Sequence, residues 1–393
     1  MKITIIGKGR FHLYDLAREI IGLGFDISLI TTLPKFVPKK FGIDGEAVKS
    51  LIFVELIDRL WKYLPKFIIT RINPQFFILD FFGKQATRHL NPDSELLIVG
   101  SATALDAIRL ARKIGIKTVI LERGSSHIQY QYQTLENEYK KYGIHSFITH
   151  PKVIEKELLE YQEVDYISVP STFVKDTYIQ FGISEEKILL NPYGVSLTNF
   201  YPKKEITATA SLEDDVFRII HCGTLSLRKG VQYLLEAFSR LNLPNAELLL
   251  IGAMDDSFRP IYEQLKVKGV NHLGPFKQNE LVKYYQSGSI FCLASIEEGL
   301  AMVIPQAMAC GLPVVCTTNT GGGDIVRDGI DGYVIPARNI EVLCDRIYIL
   351  YANREIRKKM SLNAVERVSQ GFSWGDYGKR AAKIYYSLIN EKS

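Results

Sequence analysis

Two basic residues before a helical segment indicate a possible binding site for an anion. The stretch CGTLSLRKG at 222–230 follows an apolar run and leads into a helical pattern, which places Arg228 and Lys229 at the beginning of that helix. Free backbone N–H groups at a helix N-terminus already favour an anion there, and Gly223 permits the tight turn before it. A diphosphate suits this arrangement, although R-K-G by itself is also common in solvated surface turns.

A second stretch, EEGLAMVIPQ at 297–306, places Glu298 in a loop before a buried helix. Because Pro305 lacks an N–H group and disfavours a helical conformation in the residue before it, we expect the helix to begin at about residue 304 or 305. Gln306 would then lie in the first helical turn, and an anionic group could lie between Glu298 and Gln306. The alternative is an ordinary buried start of a helix with no ligand.

The elements that must position these residues are short apolar strands that alternate with amphipathic helices. Runs rich in β-branched residues are bounded by Gly or Pro and separated by helical patterns, which is typical of a parallel sheet with helices on both faces. The pattern runs through the first half of the chain and begins again in the second. The predicted strands lie at 2–7, 26–32, 95–100, 117–122 and 165–170, and then at 217–223, 246–252, 270–274, 289–295 and 313–318.

This repetition predicts an α/β protein with two Rossmann-like, doubly wound parallel-sheet domains. A chain of 393 residues with 47% hydrophobic residues is globular and long enough for two cores, since one core rarely grows beyond about 250–300 residues. The periodicity breaks at 192–215, so we place the domains at 1–195 and 196–374, followed by 375–393. Ligands of open parallel sheets bind outside the carboxyl ends of the strands, and two such sheets that face each other would form a cleft.

In their order and spacing, the motifs of the second half resemble the retaining glycosyltransferases of family 4, often called group 1, of the kind that assembles bacterial polysaccharides. The family pattern is a G-x-x-x-x-x-K-G loop, then E-G and E-A-M-A-C-G-x-P-V-V, then G-G-x-x-E and D-G-x-x-G. The sequence has Gly223–Gly230, EGLAMVIPQAMACGLPVV and GGGDIVRDGIDG in these places. The resemblance covers nearly all of 187–390. It implies the GT-B fold, in which a C-terminal helix, here within 375–393, crosses back to the first domain.

The resemblance implies that the second domain binds a nucleotide-sugar donor. Lys229 would bind the diphosphate, Glu298 would hold the hydroxyls of the sugar, and the N–H groups of Gly299 and Leu300 would contact a phosphate. A phosphate oxygen of the leaving group is expected to take the proton of the acceptor, so no protein base is required. The donor side would also include Gly223, Thr224 and Gly274.

The sequence departs from the family pattern at two donor-side positions. Thr224 stands in place of the usual arginine, so Arg228 would supply the missing charge, and Gln306 stands where the family has a glutamate that binds the ribose diol. Glutamine would lose about 1 kcal/mol per hydrogen bond relative to a carboxylate. It would also remove a repulsion of about 2 kcal/mol per charge pair with a diphosphate about 8 Å away. The two effects are similar in size, so Gln306 does not predict an inactive site.

Two loops of the first domain would face the acceptor. GKGRFH at 7–12 follows the first predicted strand, and LERGSSH at 121–127 resembles a stretch of some polysaccharide-assembling members of the family. We expect His127 to act with the catalytic residues Glu298, Lys229 and Arg228, and its alternative is a histidine at a helix end with no role in catalysis. The residues predicted on the acceptor side are Gly9, Arg10, His12, Arg123 and Ser125.

The excess of positive charge is concentrated in the segment 31–92, where ten basic residues stand against five acidic ones and account for the net charge of +5. Within it, residues 56–82 interleave Lys and Arg with Trp, Tyr and Phe. Such a surface could lie on an anionic membrane, and the alternative is that most of these aromatic side chains pack in the domain core. Binding to nucleic acid is not expected, because no matching fold accompanies the charge.

Other sequence features bound the function. No apolar run approaches the roughly 20 residues of a membrane span, and the first residues lack the apolar stretch of a signal peptide. We therefore expect a cytoplasmic protein that can also lie at the inner face of the membrane. The seven histidines show no ligand spacing of the H-E-x-x-H kind, so neither a metal nor another cofactor is predicted.

The function predicted from the resemblance is a metal-independent, retaining hexosyltransferase of cell-surface polysaccharide synthesis. Its donor would be a nucleotide sugar, UDP- or GDP-linked, and its acceptor a glycan or lipid-linked glycan. One alternative is a nucleotide-sugar epimerase or a phosphorylase of the same fold. Another is a catalytically silent binding partner in polysaccharide assembly, which Thr224 and Gln306 would suit.

Overall fold

The structure of the chain is a computed structural model that contains two parallel sheets with helices around them. Residues 62, 64–72 and 204–215, which belong to the predicted aromatic segment and the predicted linker, lie outside the described residues. The structure describes residues 1–61, 63, 73–144, 149–203 and 216–390.

The first sheet consists of seven strands, all paired in parallel. The strands are β1 (Lys2–Gly7), β2 (Asp26–Thr31), β3 (Val48–Ser50), β4 (Leu96–Gly100), β5 (Thr118–Glu122), β6 (Tyr166–Val169) and β7 (Ile188–Leu190). Their order across the sheet is β3-β2-β1-β4-β5-β6-β7. The order reverses between β1 and β4, so the chain leaves a crevice at the carboxyl ends of these two strands.

Eight helices of the described residues belong to the first domain, and each buries one face on the sheet or on a neighbouring helix. Local capping fixes where some of them begin: the side chains of His150 and Ser171 accept N–H bonds from the first turns of the helices that follow them. The helices are α1 (Leu13–Gly22), α2 (Phe36–Lys39), α3 (Ile52–Trp61), α4 (Gln75–Thr87), α5 (Leu105–Ile114), α6 (Ile128–Lys141), α7 (Pro151–Glu163) and α8 (Thr172–Gln180).

The second sheet consists of six parallel strands. They are β8 (Phe217–Cys222), β9 (Ala246–Ile251), β10 (Val270–Gly274), β11 (Ile290–Leu293), β12 (Val314–Thr317) and β13 (Gly332–Ile335). Their order is β10-β9-β8-β11-β12-β13, so the reversal lies between β8 and β11. The two charged loops singled out in the sequence follow these two strands and therefore meet at the crevice.

Seven helices of the described residues follow in the second half, and the last returns to the first domain. They are α9 (Val231–Leu241), α10 (Arg259–Leu265), α11 (Leu281–Ser287), α12 (Val303–Ala309), α13 (Ile340–Ala352), α14 (Arg354–Ser369) and α15 (Trp374–Asn390). Helix α15 packs on α1, where a Cβ atom at Gly378 would lie 2.4 Å from Cβ of Glu19. The rings of Phe25 and Tyr386 lie 5.1 Å apart, and Arg380 donates to Oδ1 of Asn191 at 3.0 Å.

The predicted fold is confirmed: two doubly wound sheets and a crossing C-terminal helix. Each of the ten predicted strands is present, with ends that differ by one or two residues. The sequence analysis did not predict β3, β7 and β13, which have only three or four residues each, because such short strands leave no clear periodicity. The domain boundaries at 195/196 and 374/375 remain a prediction.

An apolar cluster runs from one domain to the other. Buried side chains of both sheets join through Tyr193, Val195 and Phe200 of the connecting segment and Trp374 and Tyr377 of α15. Because burial of apolar surface is the main favourable contribution to packing, this cluster holds the two sheets against each other and fixes the cleft between them.

Candidate active site

The two charged loops of the second domain touch at a glycine. Gly230 has a φ of +64°, and a Cβ atom there would lie 1.8 Å from the carbonyl oxygen of Ala294 in the loop after β11. Only glycine allows this approach. A hydrogen bond from the N–H of Ile296 to the carbonyl oxygen of Arg228, at 2.9 Å, joins the loops again. The loop that carries Arg228 and Lys229 is therefore fixed against the loop that carries Glu298.

The basic side chains of the first loop are paired with the acidic side chains of the second. Nζ of Lys229 lies 2.5 Å from Oε1 of Glu298, and Nη2 of Arg228 lies 3.7 Å from Oε2 of Glu298. Nε of Arg228 donates to Oε2 of Glu297 at 2.9 Å. Glu298 is buried, so the pairs are only weakly screened by solvent. Two cations held side by side in this way can bind a diphosphate that shares them with the carboxylates.

Glu297 was given no role in the sequence analysis, yet it is the more deeply buried of the two acids, with 0% of its surface exposed. It accepts hydrogen bonds from the first domain: from the N–H and Oγ of Ser126 at 3.2 and 2.7 Å, and from Nε2 of Gln131 at 3.0 Å. Burial raises the pKa of Glu297, but Arg228 and these hydrogen bonds outweigh burial and hold the pKa below its ordinary value. The carboxylate is thus a charged link between the domains.

The backbone at Gly299 and Leu300, where a contact with a phosphate is predicted, lies against the first domain. The carbonyl oxygen of Gly299 accepts from Oγ of Ser171 at 2.7 Å, and a Cβ atom at Gly299 would lie 1.8 Å from the carbonyl oxygen of Gly124. The N–H groups of Gly299 and Leu300 have no partner in the part of the chain that the structure describes. Buried N–H groups are rarely left unpaired, so these two are available to an anionic ligand.

Gln306 lies in the first turn of α12, as expected. The helix begins at Val303, one or two residues earlier than the predicted 304–305, and Pro305 occupies its third position, where an N–H group would have no helical partner in any case. The side chain of Gln306 is 6% exposed and makes no hydrogen bond within the described ranges. Its amide is therefore available to a ligand.

Three further residues predicted on the donor side lie at the ends of β8 and β10. Gly223 has a φ of +145°, and a Cβ atom there would lie 3.4 Å from Cε of Lys229. The N–H of Gly252 donates to the carbonyl oxygen of Gly274 at 2.9 Å, and a Cβ atom at Gly252 would lie 1.9 Å from the carbonyl oxygen of Gly223. Thr224 is exposed. The glycines therefore let the ends of three neighbouring strands approach one another.

A cavity of about 510 Å³ opens at the carboxyl ends of β1, β4 and β5 in the first domain. Four of the predicted acceptor-side residues line it, namely Gly9, His12, Arg123 and Ser125. Arg10 does not. Its guanidinium lies 4.6 Å over the ring of Phe41 and donates to Oε1 of Gln278 in the second domain at 3.2 Å.

The cavity wall carries four carboxylates, and each is paired with a basic side chain. The pairs are His12 with Glu122 at 3.0 Å, Lys8 with Asp58 at 2.6 Å, Arg59 with Glu55 at 2.9 Å, and Arg123 with Glu157 at 3.1 Å. Within the described residues, no three His, Cys, Asp or Glu side chains are placed to share a metal ion. Paired carboxylates can still accept hydrogen bonds from hydroxyl groups, as a sugar acceptor would require.

His127 does not line this cavity, and its side chain has structural contacts; its catalytic role stays a prediction. Its Nδ1 accepts the N–H of Gln129 at 3.3 Å and caps α6. Its ring stacks on Phe181 at 4.6 Å and also contacts Tyr161 and Tyr178. Burial, with a smaller effect from the charge of Arg123, lowers the pKa of His127 to about 4. The structure thus favours the alternative of a histidine at a helix end.

The second domain matches a known family. Residues 202–367 match the family described as glycosyl transferases group 1, and the matched range contains both charged loops and α12. The second domain is therefore similar to the group 1 glycosyltransferases. The expectation drawn from the motifs is therefore confirmed at the level of the family.

The relatives described below share between a quarter and a third of their residues with this chain in the aligned part. The chain is 29% identical over 257 residues to a probable sucrose-phosphate synthase of Thermosipho melanesiensis. The aligned part covers 63% of this chain and 55% of the relative. The chain is 25% identical over 219 residues to a putative colanic acid biosynthesis glycosyltransferase of Salmonella typhimurium, which covers 53% of each. The chain thus spans only about half the length of these relatives.

A solved structure extends the likeness over both domains. The structure of HepE from Anabaena, in complex with UDP, superposes with a TM-score of 0.72 and covers 98% of this chain and all of that one, at 15% identity. At this identity the likeness shows the fold alone, which is the two-domain fold predicted from the sequence.

The residues that join the two sides of the site are not among those predicted from the sequence. Glu122 and Ser126 belong to the LERGSSH stretch but have no predicted role, and neither Gln131 nor Glu297 is a predicted site residue. Two acids in succession after a buried strand were a usable signal, because such a pair puts one side chain on each face of the chain. The partners of Glu297 in the first domain lie more than 160 residues away in the sequence, and no local pattern indicates them.

Proposed function

We propose that this group 1 glycosyltransferase moves a sugar from a nucleotide-diphosphate donor to a glycan or lipid-linked glycan, with retention at the anomeric carbon, in the synthesis of cell-surface polysaccharide. The observation that carries the proposal is the cluster of Arg228, Lys229 and Glu298 at the crevice of the second sheet, beside the free N–H groups of Gly299 and Leu300. The colanic acid relative and the UDP complex of HepE support the same donor and acceptor classes.

The charges of the site suit the departure of a diphosphate. Lys229 and Arg228 would balance the negative charge that develops on the leaving group, and preorganised charges of this kind commonly supply a large part of catalysis. Glu298 would hold the sugar hydroxyls and favour positive charge at the anomeric carbon. Because Lys229 lies 2.5 Å from Glu298, one cation could contact both this carboxylate and the diphosphate, and the bond to be broken would then lie between them.

The acceptor would enter the cavity of the first domain. Its paired carboxylates accept hydrogen bonds from hydroxyl groups, while Lys8 and Arg123 keep the wall from being strongly negative. A hydroxyl-rich sugar fits this lining.

A panel of UDP-, GDP- and ADP-sugars in a thermal-shift assay tests the donor, since a ligand at 100 times its dissociation constant adds about 2.7 kcal/mol to the free energy of unfolding. The stabilising donor is then incubated with and without a glycan acceptor. We expect consumption of the donor only with the acceptor, and a product with the same anomeric configuration as the donor.

Two results would replace the proposal with its alternatives. An epimer formed without an acceptor would indicate a nucleotide-sugar epimerase. Two observations together would indicate a binding partner in polysaccharide assembly: the purified protein consumes no donor, and a strain that carries Glu298→Ala still makes normal amounts of glycan.

The same proposal includes contact of the first domain with an anionic membrane. Helix α3 and the residues beside it expose a row of large apolar side chains. The row consists of Ile52, Phe53, Leu56, Ile57, Leu60, Tyr63, Phe77 and Phe81. They lie in the segment that carries the net positive charge. An apolar face beside basic residues is typical of proteins that lie on anionic lipid surfaces. None of the described helices is both long and apolar enough to span a bilayer.

Vesicle sedimentation tests the membrane contact. We expect binding to vesicles that contain an anionic lipid, loss of binding at high salt, and weaker binding of Leu56→Ser and Leu60→Ser. Leu362→Ser, at an equally exposed leucine of the second domain, serves as the control and should bind like the unchanged protein. Absence of binding at low salt would exclude the contact.

A further inference from the structure

A continuous series of charged and amide groups crosses the interface between the domains. In the first domain, Glu157 pairs with Arg123 at 3.1 Å, and Nη2 of Arg123 donates to Oε1 of Gln131 at 3.2 Å. Across the interface, Nε2 of Gln131 donates to Oε2 of Glu297 at 3.0 Å, and the same oxygen accepts from Nε of Arg228 at 2.9 Å. The first three of these residues line the acceptor-side cavity. The series therefore leads from that cavity to a cation of the donor side.

Gln131 has the side chain that this position needs. Its oxygen accepts from a guanidinium and its NH₂ group donates to a carboxylate, so that both ends of the amide face a group of matching polarity. A glutamate in its place would bring a second negative charge against Glu297, and a lysine would bring a second positive charge against Arg123. A neutral amide is thus the group that joins a cation of one domain to an anion of the other.

The position of Arg228 depends on Glu297. Two hydrogen bonds hold its Nε, one to Oε2 of Glu297 and one to the carbonyl oxygen of the same residue at 3.1 Å. Its Nη2 lies 3.7 Å from Oε2 of Glu298. If the carboxylate of Glu297 were absent or displaced, Arg228 would be drawn towards Glu298, the group assigned to the donor sugar. A buried carboxylate holds its donors firmly, because an uncompensated charge in the interior is strongly unfavourable.

We propose that Glu297 is a positioning residue that couples the cavity of the first domain to diphosphate binding in the second. Gln131 and Ser126 fix the carboxylate from one side, and the carboxylate fixes Arg228 on the other. A change at Gln131 therefore alters how Arg228 meets the diphosphate, although the two residues belong to different domains. Coupling between two sites is reciprocal, so an acceptor that orders Gln131 should also tighten the binding of the donor. The inference rests on the proposed function only in requiring that the second domain binds a nucleoside diphosphate.

Binding of UDP, measured by isothermal titration calorimetry, tests the coupling. GDP or ADP replaces UDP as the probe if it gives a larger thermal shift. We expect Gln131→Ala to weaken binding about fivefold and Glu297→Gln to weaken it about tenfold, while the double variant binds no more weakly than Glu297→Gln alone. Residues that act through one shared contact show non-additive effects of this kind.

Gln133→Ala is the matched control, because Gln133 is an exposed glutamine on the same helix, α6. Its affinity for UDP and its melting temperature should equal those of the unchanged protein. Equal affinities of the unchanged protein and Gln131→Ala, or additive effects of Gln131→Ala and Glu297→Gln, would overturn the coupling and leave the proposed function standing. Failure of the unchanged protein to bind UDP, GDP and ADP would instead overturn the proposed function.

Discussion

The donor side and the acceptor side of the cleft are built in different ways on two sheets of the same type. On the donor side, Arg228, Lys229 and Glu298 come from two short loops after the adjacent strands β8 and β11. On the acceptor side, three of the four charged pairs join distant parts of the chain; His12 and Glu122, for example, are 110 residues apart. The comparison shows that a site gathered into short loops leaves a readable motif, whereas one gathered from several elements does not.

The two sides also differ in how their charged groups are arranged: they lie together on the donor side and are spread out on the acceptor side. The donor-side carboxylate Glu298 contacts two basic groups, so the cations of that side lie together and can be shared with an anion. Each carboxylate of the acceptor-side cavity has its own basic partner, and these pairs are spread around the wall. Concentrated cations suit a diphosphate, and separate ion pairs suit neutral hydroxyl groups.

The largest effect should come from Glu298→Ala on the donor side. Removal of one preorganised charged group at a reacting centre commonly costs about 10²–10³-fold in kcat, and we expect a loss of this size in a transfer assay. Asp256→Asn, at a side chain that is 99% exposed in the same domain, is the control. If the Glu298→Ala variant kept nearly its full kcat, Glu298 would have no role in the reaction on this side of the cleft.

A smaller effect on stability should come from two buried histidines, one in each domain. Burial lowers the pKa of His127 and of His221 to about 4. These values lie below about 6.5, the pKa of histidine in the unfolded chain. The unfolded state therefore binds protons at a higher pH than the folded state does. The contribution of these histidines to the free energy of unfolding is present above pH 6.5 and is lost as the pH falls towards 4. We expect the free energy of unfolding to drop by roughly 2 kcal/mol per histidine between pH 7 and 5, as measured by urea unfolding.

His127→Asn separates this structural role from a catalytic one. Asparagine can also cap a helix, so α6 should persist, and the dependence of stability on pH should become weaker. The kcat at pH 7.5 should stay within about twofold of that of the unchanged protein, because a buried neutral ring is not expected to transfer a proton in the reaction. A hundredfold loss of kcat in a folded variant would restore the catalytic assignment.

On the acceptor side, Glu122→Gln should act on the acceptor alone. The change removes the charge that faces His12 and keeps the shape, and loss of one charge-assisted contact corresponds to about a tenfold rise in the KM of the acceptor. The affinity for UDP should not change. Glu95→Gln, at an exposed glutamate of the same domain, is the control. If Glu122→Gln weakened the binding of UDP as much as it raised the KM of the acceptor, the two sides would not bind their ligands independently.

The smallest effect is expected for Gln306→Glu, and two ligands reveal it. A carboxylate would strengthen contacts to the ribose hydroxyls, so the variant should bind uridine about fivefold more tightly. Repulsion from the diphosphate offsets this gain, so the affinity for UDP should stay within about twofold. The assay is calorimetry with both ligands. If neither affinity changes, Gln306 does not contact the ribose.

Much of the fold and of the donor side could be predicted because the responsible signals are local. The alternation of apolar strands with helices predicted both sheets, and the turn before α9 predicted the positions of Gly223, Arg228 and Lys229. The start of α12 was predicted to within two residues from Pro305 alone. The surroundings of His127 could not be predicted in this way: its neighbours in the sequence, Ser125 and Ser126, reach the site, whereas its own ring lies among aromatic side chains of α7 and α8.

The sequence by itself determined which elements form and which residues follow each strand, since hydrophobic period, proline and glycine act within a few residues. Only the tertiary structure decided which of two successive carboxylates, Glu297 or Glu298, faces the other domain. The partners of Glu297, Ser126 and Gln131, lie on the first domain. Their approach depends on the order of the strands and on the apolar cluster that packs one sheet against the other, and both of these are properties of the whole chain.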